Sequence, residues 1–383
     1  MIITVFKEDI IEGLQKAAGI IPQKAGAAYL RTLWIQAKDG QITLLSTDSN
    51  IEFLGVYSAE TTEEGLIGVQ GRTFVDLVRR LPSGKITLET DRENPVLHIS
   101  QGRRKYKMPT NDTTWFQAFS DFPEEGVVVW AGDYFQEIIE HINFCIAEEG
   151  MDAISCLLMI PAPDGVIHAA GMNGHQFAMQ SFTHDDLRAL LPKEGMLIQK
   201  KYLIELKKWL GNAEIELNIG DKRLFVRSID RKESLSIPLS SYTYPDYNVF
   251  LNRVQVNGVS TLEVNRAEAQ EALNRIGIFN SEANRCTYLH LSPTEVILTT
   301  SGQETGSAIE CLDVVFNGSL EKISFHTINL LNMMEHFASA RLKMVFTGME
   351  GPCGVTGHED KDYQVIIMPM KIVENTQFSE EQV

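Results

Sequence analysis

Hydrophobic and polar positions follow the same order three times along this chain, with a period of roughly 130 residues. Each copy opens with a helical pattern, continues through a second helix into a strand of alternating polarity, and closes with an apolar-proline pair. The first helices are predicted at residues 7–20, 133–146 and 266–279. The second helices are predicted at 72–81, 201–210 and 327–337, and the alternating strands at 85–88, 214–217 and 341–344. The closing apolar-proline pairs are at 108–109, 237–238 and 368–369.

This period is too long for a solenoid repeat and matches the size of a whole domain. Common helix and strand patterns could coincide by chance, but three landmarks in register favour a true repeat. The sequence therefore predicts an α+β protein built from three consecutive copies of one domain. The predicted domains are residues 1–123, 124–252 and 253–372, followed by an acidic C-terminal tail at 373–383 that is expected to be disordered.

Composition limits the environment and the kind of site. The five cysteines are odd in number, lie far apart and form no C-x-x-C pair, which argues against a disulfide framework and a zinc site and favours a reducing cytosol. The first residues become charged at once and no long apolar run follows, so we expect a cytoplasmic protein with no membrane span. The net charge of −17 argues against a wholly nucleic-acid-binding surface, but it allows a local basic one.

Basic residues concentrate on the second helices of the first two copies. Residues seven positions apart share a helix face, so each of these helices has a cationic face opposite its apolar face. These cations are Arg72, Arg79, Arg80, Lys200, Lys201, Lys207 and Lys208. A solvated helix surface explains the pattern equally well. Residues 326–337 contain no lysine or arginine, so any cations in the third copy must come from Arg266, Arg275 or Arg285.

Two further basic groups lie outside these helices. Lys24 is in a loop after the first helix, and Arg103–Lys107 is a dense basic run on a predicted strand. The run is typical of an edge strand protected by charge, and it could equally contact DNA.

Local motifs, taken in order, resemble the bacterial DNA polymerase III beta subunit family, the sliding clamps, over residues 1–372. The motifs are Thr47-Asp48, Gly71-Arg72-Thr73-Phe74, Leu81-Pro82-Ser83-Gly84, Asp121-Phe122-Pro123, Gly174-His175, Pro245-Asp246-Tyr247 and Ile367-Met368-Pro369-Met370-Lys371. Each motif alone is weak, whereas their order and spacing together are specific.

The resemblance implies a non-catalytic processivity factor without a cofactor or metal. In this family a head-to-tail homodimer forms a six-domain ring around duplex DNA. Phosphate contacts carry no sequence information, so a cationic channel suits a protein that slides. By analogy, the DNA-facing residues are Lys24, Arg72, Lys200 and Lys201, and the dimer interface contains Tyr106, Met108, Ile278 and Phe279.

The family also binds short peptide motifs of partners in a pocket between its second and third domains. The implied partners are the replicative DNA polymerase catalytic subunit, the clamp loader, repair polymerases and mismatch-repair proteins. The matching pocket residues here are Met172, Gly174, His175, Phe177, Pro245, Phe250, Met368, Pro369 and Met370. Methionine can repack around different peptides and proline keeps a wall rigid. One hypothesis lets Phe378 of the tail fold back over this pocket.

Several positions depart from the family pattern. Met172-Asn173-Gly174-His175-Gln176-Phe177 stands where the family usually has Thr-Asp-Gly-His-Arg-Leu, and Asn248-Val249-Phe250 replaces an arginine-rich stretch. His326 and Asn329 stand where asparagine and tyrosine are common. The pocket is therefore expected to be more apolar, with a shifted peptide preference. These departures also leave an alternative open, a peptide-binding adaptor with the clamp fold that does not encircle DNA.

An enzyme receives little support from the sequence. The chain has no G-x-G-x-x-G, G-x-x-x-x-G-K-[ST], H-E-x-x-H or G-x-S-x-G motif, and its nine histidines are scattered.

Overall fold

The structure, a computed structural model, describes residues 1–22, 27–91, 94–148, 150, 152–256, 260–282, 284–302 and 304–371. Lys24 and the predicted tail lie outside these residues. The chain divides into two compact units. Unit one comprises Met1–Glu137, Asp185–Pro192 and Lys201–Ser241, and unit two comprises Ile138–His184, Lys193–Lys200 and the chain from Tyr242 onward. This division into two units does not test the boundaries of the three predicted domains, which stay a prediction.

Eight α-helices lie within the described residues. They are α1 (Lys7–Ile20), α2 (Gly71–Arg80), α3 (Gly132–Asn143), α4 (Asp185–Leu190), α5 (Lys200–Trp209), α6 (Asn248–Val256), α7 (Arg266–Gly277) and α8 (Thr327–Glu335). All six helices predicted from the repeat are confirmed to within a few residues. The short α4 and the helix α6 were not expected, because neither belongs to the threefold pattern.

Unit one holds a thirteen-stranded antiparallel sheet. Its strands are β1 (Ile2–Phe6), β2 (Thr32–Lys38), β3 (Gln41–Thr47), β4 (Glu52–Ser58), β5 (Glu60–Glu63), β6 (Gly65–Gln70), β7 (Lys85–Thr90), β8 (Val96–Gln101), β9 (Arg104–Asn111), β10 (Val128–Ala131), β15 (Glu214–Ile219), β16 (Arg223–Ser228) and β17 (Glu233–Pro238). Their order is β10-β15-β16-β17-β4-β3-β2-β6-β9-β8-β7-β1-β5. The pairing of β17 with β4, with Leu235 opposite Phe53, joins the first repeat to the second.

Unit two holds two antiparallel sheets. Its strands are β11 (Cys156–Pro161), β12 (Ile167–Met172), β13 (Gln176–Phe182), β14 (Met196–Gln199), β18 (Ser260–Asn265), β19 (Cys286–Leu291), β20 (Glu295–Gly302), β21 (Gly306–Asp313), β22 (Val315–Asn317), β23 (Lys322–His326), β24 (Arg341–Phe346), β25 (Cys353–Gly357) and β26 (Tyr363–Ile367). The orders are β14-β11-β12-β13-β26-β25-β24-β18-β22 and β21-β20-β19-β23. Here β13 pairs with β26, with Phe177 opposite Ile366, and joins the second repeat to the third.

Apolar faces of helices and strands build the core of each unit. Helix α1 buries Ile10, Leu14 and Ala17, which follow the spacing of one helix face. Strand β8 alternates buried and half-buried residues, as the period of two requires. Fully buried aromatic side chains include Phe74 in unit one, and each such side chain contributes roughly 1.5–3 kcal/mol. The sequence periodicity therefore identified the core-facing residues directly.

All five cysteines are free thiols. Cys145, Cys156 and Cys353 are buried, and burial raises the pKa of the Cys353 thiol, whereas Cys311 on β21 is exposed. No helix among the described residues is both long and apolar enough to cross a membrane.

Candidate nucleic-acid and peptide-binding sites

Arg72 lies at the start of α2 and is half-buried. The helix begins here because the Gln70 side chain accepts a hydrogen bond from the Thr73 amide at 2.6 Å, while Phe74 and Val78 turn inward. The guanidinium Nη2 of Arg72 donates to the carbonyl of Ile21, the first residue after α1, at 2.6 Å. Arg72 therefore holds the chain immediately after α1.

Lys200 takes the corresponding place at the start of α5. Its Nζ donates to the carbonyl of Ile146 at 2.8 Å and to Oε1 of Glu148 at 2.7 Å. Only 8% of the residue is exposed. The structure thus gives Lys200 two protein partners, and its predicted contact with DNA stays a prediction. Lys201 is exposed, with Nζ 4.6 Å from the Tyr202 ring centroid.

Carboxylates accompany two other cations of these helices. On α2, Arg79 Nη2 lies 3.1 Å from Asp76 Oδ1. On α5, Lys208 Nζ lies 2.8 Å from Glu205 Oε1. The spacing of three residues along each helix was the signal in the sequence. The cationic faces are therefore partly neutralised by their own helices.

The third repeat places its arginines differently. Arg275 on α7 forms a two-pronged ion pair with Glu310 of β21, with N–O distances of 2.7 and 3.0 Å, which lowers the pKa of Glu310. Arg266 Nε donates to the carbonyl of Ser339 at 2.9 Å. Two of the three arginines that could supply cations to this repeat are thus already bonded within it.

A tight turn between β12 and β13 positions the first group of predicted pocket residues. The Asn173 Oδ1 atom accepts hydrogen bonds from the amides of His175 and Gln176 at 3.0 and 2.9 Å. Gly174 has a φ of 85°, which favours glycine because it lacks a Cβ. His175 is exposed, and its carbonyl accepts from the Met368 amide at 2.8 Å. The turn therefore holds the end of the terminal strand beside it.

The apolar floor beside this turn combines three distant parts of unit two. Met172 and Phe177 are 7% and 4% exposed, and Ile366 and Leu251 belong to the same cluster. The Phe177 ring stacks on the Tyr247 ring with centroids 5.6 Å apart. These contacts bring residues near positions 172, 247 and 366 into one buried apolar cluster.

A hydrogen bond between Tyr247 and His168 holds the aromatic part of this floor in place. The Tyr247 hydroxyl lies 2.9 Å from His168 Nδ1. Burial lowers the pKa of His168 and raises the pKa of Tyr247, so both groups are neutral near pH 7.

The chain beyond β26 forms the open side of the candidate pocket. The Met370 amide donates to the Ser324 carbonyl at 2.8 Å, and the Ser324 hydroxyl donates to the Met370 carbonyl at 2.9 Å. Met370 and Phe250 are 39% and 37% exposed, and Pro245 is exposed as well. Burial, Arg285 and His175 together lower the pKa of His326 nearby. Exposed apolar side chains, exposed His175 and half-buried His326 thus accompany a buried apolar floor.

Residues predicted for the dimer interface divide into buried and exposed ones. Ile278 follows α7 and is 73% exposed, while Phe279 beside it is half-buried. On β9, Tyr106 is half-buried, and Met108 is 7% exposed within a single copy. Met108 therefore belongs largely to the core of its own sheet, and its role at an interface stays a prediction.

The structure places Met172 and Phe177 in one cluster and joins His175 to Met368 within unit two, while the pocket and the DNA-facing surface stay predictions. Sequence reasoning missed Glu148, Ser324, Leu251 and Ile366. Glu148 gave no signal because it meets Lys200 only through the fold, and the apolar pair resembled ordinary core.

Family models match both ends of the chain. The DNA polymerase III beta subunit N-terminal domain matches residues 1–120, and its C-terminal domain matches residues 256–371. These matches together span more than half of the chain. The chain belongs to the DNA polymerase III beta subunit family. The family comprises sliding clamps, non-catalytic processivity factors of DNA polymerase III, so the predicted family, α+β clamp fold and clamp function are confirmed.

Individual relatives agree with the family assignment. The beta sliding clamps of Haemophilus influenzae and Escherichia coli K12 are 21% and 23% identical over 373 residues, covering 96% of this chain and 99% of each relative. Among solved structures, a Caulobacter crescentus beta sliding clamp has a TM-score of 0.90 at 19% identity, covering 97% of this chain and 100% of the other. A Pseudomonas aeruginosa sliding clamp bound to griselimycin has a TM-score of 0.87 at 21% identity and the same coverage.

Proposed function

We propose that two copies of this beta subunit close head to tail into a six-domain ring around duplex DNA. Each copy contributes the domains 1–123, 124–252 and 253–372. The ring tethers the replicative polymerase catalytic subunit, the clamp loader, repair polymerases and mismatch-repair proteins through short peptides bound in unit two. Phosphates of the enclosed duplex face Arg72, Lys201 and Lys24, and reach Lys200 as described below. A ring retains DNA by topology, so its individual phosphate contacts can stay weak and mobile.

Two strand edges with opposite charge support ring closure. Among the described strands, β9 pairs with β8 along its length and with β6 only at Thr110 and Asn111, which leaves most of one edge open. Strand β21 pairs with β20 and ends its sheet. The β9 edge carries Arg104, Lys105 and Lys107, whereas β21 carries Glu310 and Asp313. An antiparallel pairing of β9 with a second copy's β21 satisfies the unpaired backbone N–H and C=O groups of both edges. The same contact made a second time, between the other two edges, closes the ring.

The observation that carries this proposal is the exposure of two isoleucines beside the β21 edge. Ile278 is 73% exposed and Ile309 on β21 is 70% exposed. Apolar side chains that protrude beside an open strand edge typically mark an interface. Cys311, two residues beyond Ile309, is exposed in a single copy and becomes covered in the proposed dimer.

Sedimentation tests the dimer directly. Ile278→Asp buries a charge in the proposed contact and should convert dimers to monomers. Ile229→Asp is a matched control, since Ile229 is 47% exposed and follows β16, and five strands lie between β16 and β9 in the sheet. Cys311 should also react with a maleimide faster in the Ile278→Asp variant. A variant that stays dimeric, with Cys311 still protected, would contradict the interface.

The adaptor alternative rests on the absence of lysine and arginine from residues 326–337. A clamp must dimerise, whereas an adaptor need not. A wild-type protein that is monomeric and whose Cys311 reacts freely would therefore favour the adaptor.

A further inference from the structure

In the first two repeats, the second helix begins with a cation that bonds to the chain shortly after the first helix of the same repeat. The two cations otherwise have different partners. Arg72 donates to the carbonyl of Ile21, and no carboxylate within the described part of the chain pairs with it. Lys200 donates to the equivalent carbonyl of Ile146 and also to Glu148. The carboxylate is therefore an addition specific to the second repeat.

The two bonds of Lys200 differ in how firmly they are held. The Ile146 carbonyl belongs to a buried residue, which is 1% exposed and packed in unit two. The Glu148 side chain is 85% exposed, whereas that of Lys200 is 10% exposed. Water and salt surround the carboxylate, so this ion pair contributes little to stability and breaks easily. Glu148 can leave while the carbonyl keeps the ammonium in place.

We propose that Glu148 competes with DNA phosphate for Lys200. A phosphodiester oxygen is an anionic acceptor like a carboxylate oxygen and can take the position that Glu148 Oε1 occupies, 2.7 Å from Nζ. This proposal rests on the DNA-facing assignment of α5 in the proposed function. Glu148 thereby limits the affinity of the ring for DNA, since a phosphate that takes this position must displace it. The pairs Asp76–Arg79 and Glu205–Lys208 reduce the available positive charge in the same way.

A salt titration with a short fluorescein-labelled DNA duplex tests the proposal by anisotropy on the intact protein. Glu148→Gln removes the competing charge and should raise affinity roughly five- to tenfold at 0.1 M salt, because one more phosphate is neutralised. The slope of log K against log salt should steepen by about 0.9. Glu295→Gln is the control, since it removes the same charge from an exposed position on β20.

A second variant links the gain to Lys200. Adding Lys200→Met to Glu148→Gln should abolish the increase in affinity and in slope, and thermal unfolding should verify that each variant is folded. An affinity for Glu148→Gln equal to that of Glu295→Gln would overturn the competition while leaving the DNA-facing surface intact. Wild-type binding with no dependence on salt would instead overturn the DNA-facing assignment, and the role of Glu148 with it.

Discussion

The junction of β4 with β17 in unit one and that of β13 with β26 in unit two share one backbone design. In the first, Asp48 Oδ1 accepts from the amides of Asn50 and Ile51, both at 2.8 Å. In the second, Asn173 makes the same two bonds, and the residues after Asp48 and Asn173 have φ values of 81° and 85°. The internal repeat therefore reproduces the turn that starts the joining strand.

The two junctions differ in what covers them. In unit one, Arg227 is 7% exposed, pairs with Glu216 and Glu124, and lies 3.9 Å from the Phe122 ring centroid. The cavity remaining beside Phe119 and Phe122 is about 10 Å³, the size of one water molecule. In unit two, an aromatic stack replaces the ion network and Phe250 and Met370 stay exposed. The same backbone thus supports a closed junction and one that leaves apolar side chains exposed.

Removing the buried arginine should have the largest effect. Arg227→Ala leaves the Glu216 carboxylate buried without its nearest partner, so we expect the free energy of unfolding to fall by roughly 3–5 kcal/mol. Arg231→Ala is the matched control, since Arg231 contacts the same two carboxylates but its side chain is 61% exposed. It should cost about 0–1 kcal/mol. Urea denaturation measures both, and equal losses would show that the first junction does not depend on a buried charge.

The exposed aromatic of the second junction should affect binding rather than folding. Phe250→Ala should weaken binding of a short clamp-binding peptide from the replicative polymerase catalytic subunit, the partner of the proposed function, by roughly tenfold, or about 1.4 kcal/mol, as loss of an apolar contact at the centre of an interface does. Its unfolding free energy should stay within about 0.5 kcal/mol of the wild type.

Trp115→Ala is the control for the first junction, since Trp115 is 43% exposed and lies in the chain segment leading to it. Isothermal titration calorimetry should find its affinity for the polymerase peptide unchanged. A wild-type protein that does not bind the peptide, or a Trp115→Ala variant weakened as much as Phe250→Ala, would contradict the assignment of the pocket to unit two.

Lowering the pH should reduce the stability of the second junction, and this is the smallest of the predicted effects. The pKa of half-buried His168 lies below its ordinary value near 6.5, so the unfolded chain takes up this proton first. The stabilising contribution of neutral His168 is present above about pH 6.5 and is lost as the pH falls below it. His168→Gln should remove this part of the pH dependence and keep the hydrogen bond to Tyr247. Parallel pH profiles of unfolding for the two proteins would contradict the effect.

Much of the fold followed from local pattern, because helix and strand periodicity repeat three times in register. Helices α1 and α2, for example, match the ranges predicted from their apolar spacing. Helix α6 was missed because it has no counterpart in the other repeats. The pairing of β13 with β26 brings together residues almost 190 positions apart, and no local pattern specifies it.

The candidate sites show the same limit. Motif positions such as His175 and Met368 were predicted together, and the structure joins them by a hydrogen bond. The helical pattern also located Lys200, yet it suggested a free cation. The structure surrounds that cation with Ile146 and Glu148, from a loop more than fifty residues earlier. Charge placement can be read from periodicity, whereas charge pairing depends on the tertiary fold.

Retention on DNA tests the central claim most directly. The protein is loaded onto a circular plasmid with a competent clamp loader and ATP, isolated by gel filtration in moderate salt, and the plasmid is then cut once. A ring held by topology stays on the circle and leaves the linear form rapidly, which is the result we predict. Failure to stay on the circle, or equal retention on circular and linear DNA, would contradict encirclement.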